Sequence, residues 1–401
     1  MNNSKKIYLD YAASTPVGEE VFKVMKPYFS EEFGNPGSLH KFGQEAMKVL
    51  DESREKASGL LGLDFENIIF TGSATEANNL VLRGIAKKIN NNPEINFENP
   101  KIIVSEIEHE CVLETAHDLE SDGFDVAEID VNPDGRVKLN QLEKELTEDT
   151  VIISIMYANN EIGTIQPISK ISEIVQEFKK EKTNTQYPLI HSDAVQAFQF
   201  LECQPKELGL DLMTLSAHKI YGPKGVGLLA NITEESLSPI ITGGGQEFGL
   251  RSGTENVPLI KGLSKALEIA KEKRAEERKR MKKLSRELIS GLKQIKSDIK
   301  LNGVSSQERF SSDKLKTIPN ICNFYFPNNS AEELLMQLDL EGVAVSTGSA
   351  CSARSAEASH VLEGLGHNPQ RVNSSLRLSL GKYTTQQEIK KTISVFEKIM
   401  E

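Results

Sequence analysis

Leu212-Met-Thr-Leu-Ser-Ala-His-Lys-Ile-Tyr-Gly-Pro-Lys-Gly225 joins a short, mostly apolar run to a lysine and a glycine-flanked turn. An unbroken apolar run, as opposed to an alternating one, is the pattern of a strand covered on both faces. The same texture recurs at Asn67–Thr71, Lys101–Val104, Phe124–Ile129, Val151–Met156, Leu189–Asp193 and Gly227–Ala230. Amphipathic segments such as Gln141–Leu146 and Ile168–Lys179 lie between these runs. Strands alternating with helices predict an α/β domain on a mostly parallel sheet.

The texture changes near residue 263. Ser264–Lys300 carries a long helical pattern, with the charge-dense stretch Lys271–Lys283 read as a solvated helix face. Beyond it, the strand-like Ile321–Tyr325 and Ser375–Leu380 mix with the helical Ala331–Leu340 and Thr385–Met400, as in a smaller α+β domain. A chain of 401 residues is long enough for two domains. The expected division is a large domain of residues 14–263 and a small one made of 1–13 and 264–401.

Composition narrows the function classes. The chain is 38% hydrophobic and 26% charged, with a formal net charge of −11. That charge argues against non-specific nucleic-acid binding and against an acidic membrane surface. No apolar run approaches the roughly 20 residues needed to cross a bilayer. Cys111, Cys203, Cys322 and Cys351 are scattered, without metal-ligand spacing or a disulfide framework, which fits a reducing cytoplasm and no permanent metal.

Three stretches carry chemistry. Phe70-Thr-Gly-Ser-Ala-Thr-Glu-Ala-Asn-Asn79 follows one strand and opens a helix, so it reads either as an anion cradle or as a plain Ser/Thr cap. Lys219 stands between a strand end and a glycine turn, as a surface lysine or as an amine tuned by burial to react with a carbonyl cofactor. Asp193 closes an apolar strand, where a carboxylate needs a partner: a helix cap or a protonated pyridine nitrogen.

Taken together the motifs resemble fold-type-I pyridoxal-phosphate enzymes, and among them the cysteine desulfurases of the NifS/IscS family. The resemblance rests on Tyr8-Leu-Asp-Tyr-Ala-Ala-Ser-Thr-Pro16, Phe33-Gly-Asn-Pro-Gly-Ser38, Glu108-His109 and Asn159-Asn-Glu-Ile-Gly163. It continues in order through Ser216-Ala-His-Lys219, Arg251-Ser-Gly-Thr254, Ser349-Ala-Cys351 and Ser375-Leu-Arg377. It implies a large domain with a mostly parallel seven-stranded sheet and a homodimer. Pyridoxal phosphate would be bound covalently by Lys219, with Asp193 on its ring nitrogen, Gln196 near its hydroxyl and His109 stacked on its ring, moving protons. Ala74, Thr75, Ser216 and His218 would hold its phosphate, with Thr254 reaching in from the second subunit. Arg377 and Asn159 would bind the substrate carboxylate, with Asn159 also contributing to cofactor binding.

The reaction itself turns on Cys351, in the Ser/Ala/Gly-rich segment Ser346–Ser359. A thiolate on a mobile segment there would take the sulfur of L-cysteine as a persulfide and leave L-alanine. The Ser-x-Gly-Ser-Ala-Cys form is similar to the long-loop desulfurases, which imply delivery to an iron–sulfur scaffold protein, to tRNA thiolation and to other sulfur acceptors. Cys351 would also suit a transient iron–sulfur ligand. Arg354, Ala356 and Ala358 depart from the family's pattern, which bears on the choice of partner. Cys111 reads as core packing on the helical pattern Cys111–Leu119. The rivals are an aminotransferase or selenocysteine lyase on the same scaffold, and a non-enzymatic binding protein; the presence of Lys219 and Asp193 weighs against the last.

Overall fold

The computed structural model describes residues 6–95, 97–181, 186–233, 237–311, 315–347 and 358–400. Its first strand, β1 (Ile7–Tyr8), belongs to a small sheet completed far along the chain. The central sheet is built from β2 (Ile68–Thr71), β3 (Lys101–Ser105), β4 (Asp125–Ile129), β5 (Thr150–Ser154), β6 (Leu189–Asp193), β7 (Leu212–Ser216) and β8 (Gly227–Asn231). Their order is β2-β8-β7-β6-β5-β3-β4. Only β8 runs against the rest, pairing antiparallel with both β2 and β7.

The continuous apolar runs become strands because helices cover both faces of the sheet. Every residue of β2, β5, β6 and β7 is buried. Ile152, Ile153, Leu212, Met213, Leu228 and Leu229 are all 0% exposed. Each such side chain stabilises the fold by about 1.5–3 kcal/mol relative to exposure. At the sheet's margin, β4 is largely open to solvent.

The remaining strands are β9 (Lys300–Leu301), β10 (Ile321–Tyr325), β11 (Val343–Ala344) and β12 (Ser375–Ser379). β12, β10 and β9 form an antiparallel sheet, while β11 pairs in parallel with β1 and ties the N-terminal segment to the C-terminal third. The long helix runs over Val257–Ile295, not Ser264–Lys300. The Asn256 side chain caps it, accepting from the Leu259 amide, and Pro258 fits its first turn. Most of its charged stretch faces solvent, but Arg274 is buried over the Phe198 ring and donates to the Phe198 carbonyl. Among the described residues no helix is long and apolar enough to cross a membrane.

Candidate active site

The parallel strands deliver their C-terminal ends to one edge of the sheet, where doubly wound folds place ligands. Thr71 ends β2 and leads through Ser73 into the helix Ala74–Asn91. Ser105 ends β3, followed by Glu108 and by His109, which caps the helix Glu110–Glu120. Asp193 ends β6, and Ser216 ends β7 just before the single turn Ala217–Lys219. The edge therefore gathers Ala74, Thr75, His109, Asp193, Gln196, Ser216, His218 and Lys219 from separate strand ends.

At the helix Ala74–Asn91 the cap is Ser73, whose hydroxyl accepts from the Glu76 amide. Thr75 is left exposed beside it in the first turn. Gly227 begins β8 directly under this point: a Cβ there would lie 2.5 Å from the Ser73 carbonyl carbon. Only glycine lets strand and helix start approach so closely, and the helix's free N–H groups suit an anion. Arg251 grips Glu76 at 2.8 Å and so holds the loop carrying the exposed Thr254 near the same turn.

Lys219 donates to the carbonyls of Ala12 at 2.6 Å and Ala13 at 2.8 Å. Gln196 donates to the same Ala12 carbonyl at 3.0 Å, so the N-terminal segment closes over one side of the site. Asp193 is 7% exposed; one carboxylate oxygen accepts from Asn78 at 2.8 Å and the other from the Val195 amide at 2.9 Å. Burial, reinforced by Lys219, Lys224 and His109, lowers His218 to about 4. It is thus a neutral imidazole, with a buried Nδ1 that has no hydrogen-bond partner among the described residues. His109 is also held below its usual value, first by burial and then by Lys219, against the pull of Asp193.

Arg377 arrives from β12 and is 2% exposed. Asp10 holds one of its terminal nitrogens at 2.8 Å and the Asn160 carbonyl the other at 3.0 Å, while its Nε is buried with no partner among the described residues. A guanidinium fixed in this way can offer its open edge to a carboxylate. Asn159 is 0% exposed; its amide accepts from the Glu161 and Ile162 amides and donates to the Ile107 carbonyl and Met156 Sδ, which holds the loop in shape. Its neighbour Asn160 is the residue beside Arg377, and Asn160 Oδ1 is buried without a partner among the described residues. Sequence reasoning missed Asp10 and Asn78, since nothing local marks either as a partner of Arg377 or Asp193.

Cys111 packs, partly buried, against the core as expected, and its sulfur also lies 3.1 Å from His109 Nδ1 and 3.2 Å from Asn78 Nδ2. Cys203 and Cys322 are buried. Cys351 lies outside the described residues, but the residues on either side of its segment do not. Ser346 pairs backbone to backbone with Arg377, and Ser359 donates to Glu161 at 2.6 Å. Next to it, His360 contacts the Glu108 carbonyl at 2.9 Å. Among the described residues no group of three or more His, Cys, Asp or Glu could hold a metal.

The family described as aminotransferase class-V matches residues 7–392. The chain belongs to this family. Within the class-V family it lies among the NifS/IscS cysteine desulfurases. A protein named cysteine desulfurase IscS from Dictyoglomus turgidum is 42% identical over 397 residues, covering 99% of this chain and 95% of the relative. A putative cysteine desulfurase IscS 1 from Bacillus subtilis is 40% identical over 390 residues, covering 96% of each. A solved NifS-like protein superposes with a TM-score of 0.88 at 36% identity, covering 98% of this chain and 99% of its own. A structure described as SspA in complex with cysteine has a TM-score of 0.76 at 33% identity, covering 94% and 100%.

Proposed function

We propose that this class-V chain is a cysteine desulfurase that moves sulfur from L-cysteine to Cys351 and releases L-alanine. The observation that carries the reading is the gathering of Lys219, Asp193, His109 and the open edge of Arg377 at one sheet edge, with both flanks of the Cys351 segment anchored beside them. The C–S bond of the substrate breaks, and the sulfur atom ends as a persulfide on Cys351. The cysteine carbon gains a proton there and the product is alanine, so the exchange balances without an added oxidant.

The residues present fit pyridoxal phosphate. The helix start at Ala74 and Thr75, Ser216, and the orphaned Nδ1 of neutral His218 suit its phosphate. Asp193 supplies the carboxylate for its ring nitrogen, and Lys219 the amine that would hold its aldehyde carbon. When bound, the cofactor supplies an electron sink that makes the substrate's C–S bond breakable. Arg377, oriented by Asp10 and Asn160, holds the substrate carboxylate and fixes which end of the amino acid meets Cys351.

A homodimer accounts for two further features. Phe22, Phe29, Phe33 and Phe42 are more than half exposed and Leu39 is 92% exposed, in the N-terminal region that includes Phe33-Gly-Asn-Pro-Gly-Ser38. A surface of that kind calls for cover, and a second copy would also bring Thr254 to the partner's phosphate site. The chain divides at the long helix into a large domain, 14–263, and a small one, 1–13 with 264–401. The persulfide then serves acceptor proteins, among them an iron–sulfur scaffold, in the cytoplasm.

The test mixes the cofactor-loaded protein with L-cysteine in the absence of reductant. A burst of alanine with one added sulfur on the Cys351 peptide, by mass, is the expected result. Alanine without that mass change makes the protein a direct lyase. Keto acid in place of alanine overturns the sulfur-transfer reading.

A further inference from the structure

We propose that Asn78 and Cys111 are positioning residues that keep the proton of His109 on Nε2, so that His109 enters the reaction as a neutral proton donor. The inference rests on the proposed function for the part His109 plays there. Its geometry stands independently.

Asn78 is 0% exposed on the helix Ala74–Asn91. Its amide nitrogen has two hydrogens, and two acceptors lie in reach: Asp193 Oδ2 at 2.8 Å and Cys111 Sγ at 3.2 Å. The sulfur accepts from Asn78 and is also hydrogen-bonded by the Thr75 side chain, and its own proton is within reach of His109 Nδ1 at 3.1 Å. The Cys111 backbone amide donates to the same Nδ1 at 3.2 Å. The imidazole nitrogen thus faces two donors, and a backbone N–H cannot turn away. A proton on Nδ1 would meet both, so it resides on Nε2.

The chain of bonds needs a neutral thiol. Burial, with Asp193 adding to it, pushes Cys111 up to about 12, so the sulfur keeps its proton. The charged and titratable groups that act on His109 are Asp193 and Glu110, which favour its protonation, and Lys219 and His360, which oppose it. His218 faces it as well, and Glu108 adjoins it in the chain. Against that set, the thiol is the one donor to Nδ1 that a side-chain change can remove. Asp193 and His109, expected at the ring nitrogen and the ring face of one cofactor, are joined through Asn78 and Cys111, so the protonation of one bears on the other.

The experiment uses the full chain loaded with pyridoxal phosphate and labelled with ¹⁵N-histidine, with His109 assigned through His109→Gln. Nitrogen–proton correlation spectra report the tautomer and the titration without turnover, so the result stands whether or not the protein desulfurates cysteine. The expected spectrum has Nε2 protonated and Nδ1 bare at neutral pH. Cys111→Ala removes one hydrogen bond to Nδ1 and raises the proton affinity of His109 by roughly three- to tenfold. Cys111→Ser, which restores a donor, returns it to within about twofold of the native value. Nδ1 protonated in the native chain overturns the proposal, and that measurement decides even if Cys111→Ala fails to fold. An unchanged titration in a folded Cys111→Ala, judged by retained cofactor absorbance, overturns it as well.

Discussion

Two levels of the same sheet treat buried polar groups in opposite ways. Within the strands, His191 of β6 is 0% exposed, with Ser154 of β5 at 2.7 Å on one ring nitrogen and Thr214 of β7 at 3.1 Å on the other. Burial lowers it to about 3, and every polar group in this row has a partner. Two residues further along β6, at the strand ends, the pattern breaks. Asn78 Oδ1, Glu108 Oε2, Asn160 Oδ1, His218 Nδ1 and Arg377 Nε are all buried with no partner among the described residues. Buried polar groups without a protein partner are costly, and these five lie where a ligand could complete them. Burial by itself depresses a histidine at both levels; the edge differs from the His191 row in leaving groups open for chemistry.

The largest effect that could break this contrast is at Lys219. Lys219→Ala is expected to lower alanine release from L-cysteine at least about a thousandfold, with melting temperature little changed. Retained alanine formation would move the reaction centre away from the edge. His191→Ala should do the reverse. Leaving two buried hydroxyls without a partner and opening a cavity costs about 3 kcal/mol, read from urea unfolding at pH 7, while turnover per folded molecule stays near native. A loss of turnover without loss of stability would erase the distinction between the two levels.

The smallest effect is at Glu108. It accepts from Ser105 at 2.6 Å and the Met156 amide at 2.7 Å, yet burial raises it from 4.5 to about 8. Its folded value lies above its unfolded one, so the protonated form stabilises the fold below the unfolded value, and that contribution is lost as pH rises through about 8. Glu108→Gln removes the titration. Between pH 7 and 9 the native chain should lose on the order of 1 kcal/mol more stability than the variant, measured as the shift in urea midpoint. Parallel decline of the two would mean that Glu108 is already ionised at neutral pH.

Legibility in the sequence followed burial. Leu189–Asp193 and Leu212–Ser216 match their predicted bounds because both faces are covered and the apolar run is unbroken. The long helix begins earlier than its charge pattern suggests, because Asn256 and Pro258 set its start and local capping outweighs composition there. Cys111 has helical periodicity, which argues for core. It does pack against the core, and from the first turn behind the capping His109 its sulfur also reaches Asn78 at the site. Asn159 and its neighbour Asn160 are indistinguishable in sequence, and only the tertiary structure shows the Asn159 amide bonded within the loop and the Asn160 carbonyl on Arg377.

By itself, the sequence determined the α/β class, the strand-end placement of Lys219 and Asp193, and the family, because unbroken apolar runs and ordered motifs are local and need no partner to be read. The tertiary structure alone decided which groups meet. Asp10 orients Arg377 from 367 residues away, and Asn78 joins Asp193 to Cys111 across two helices and a strand. Side-chain hydrogen bonds between distant segments depend on the register and packing of the whole sheet, and no periodicity in the chain encodes them.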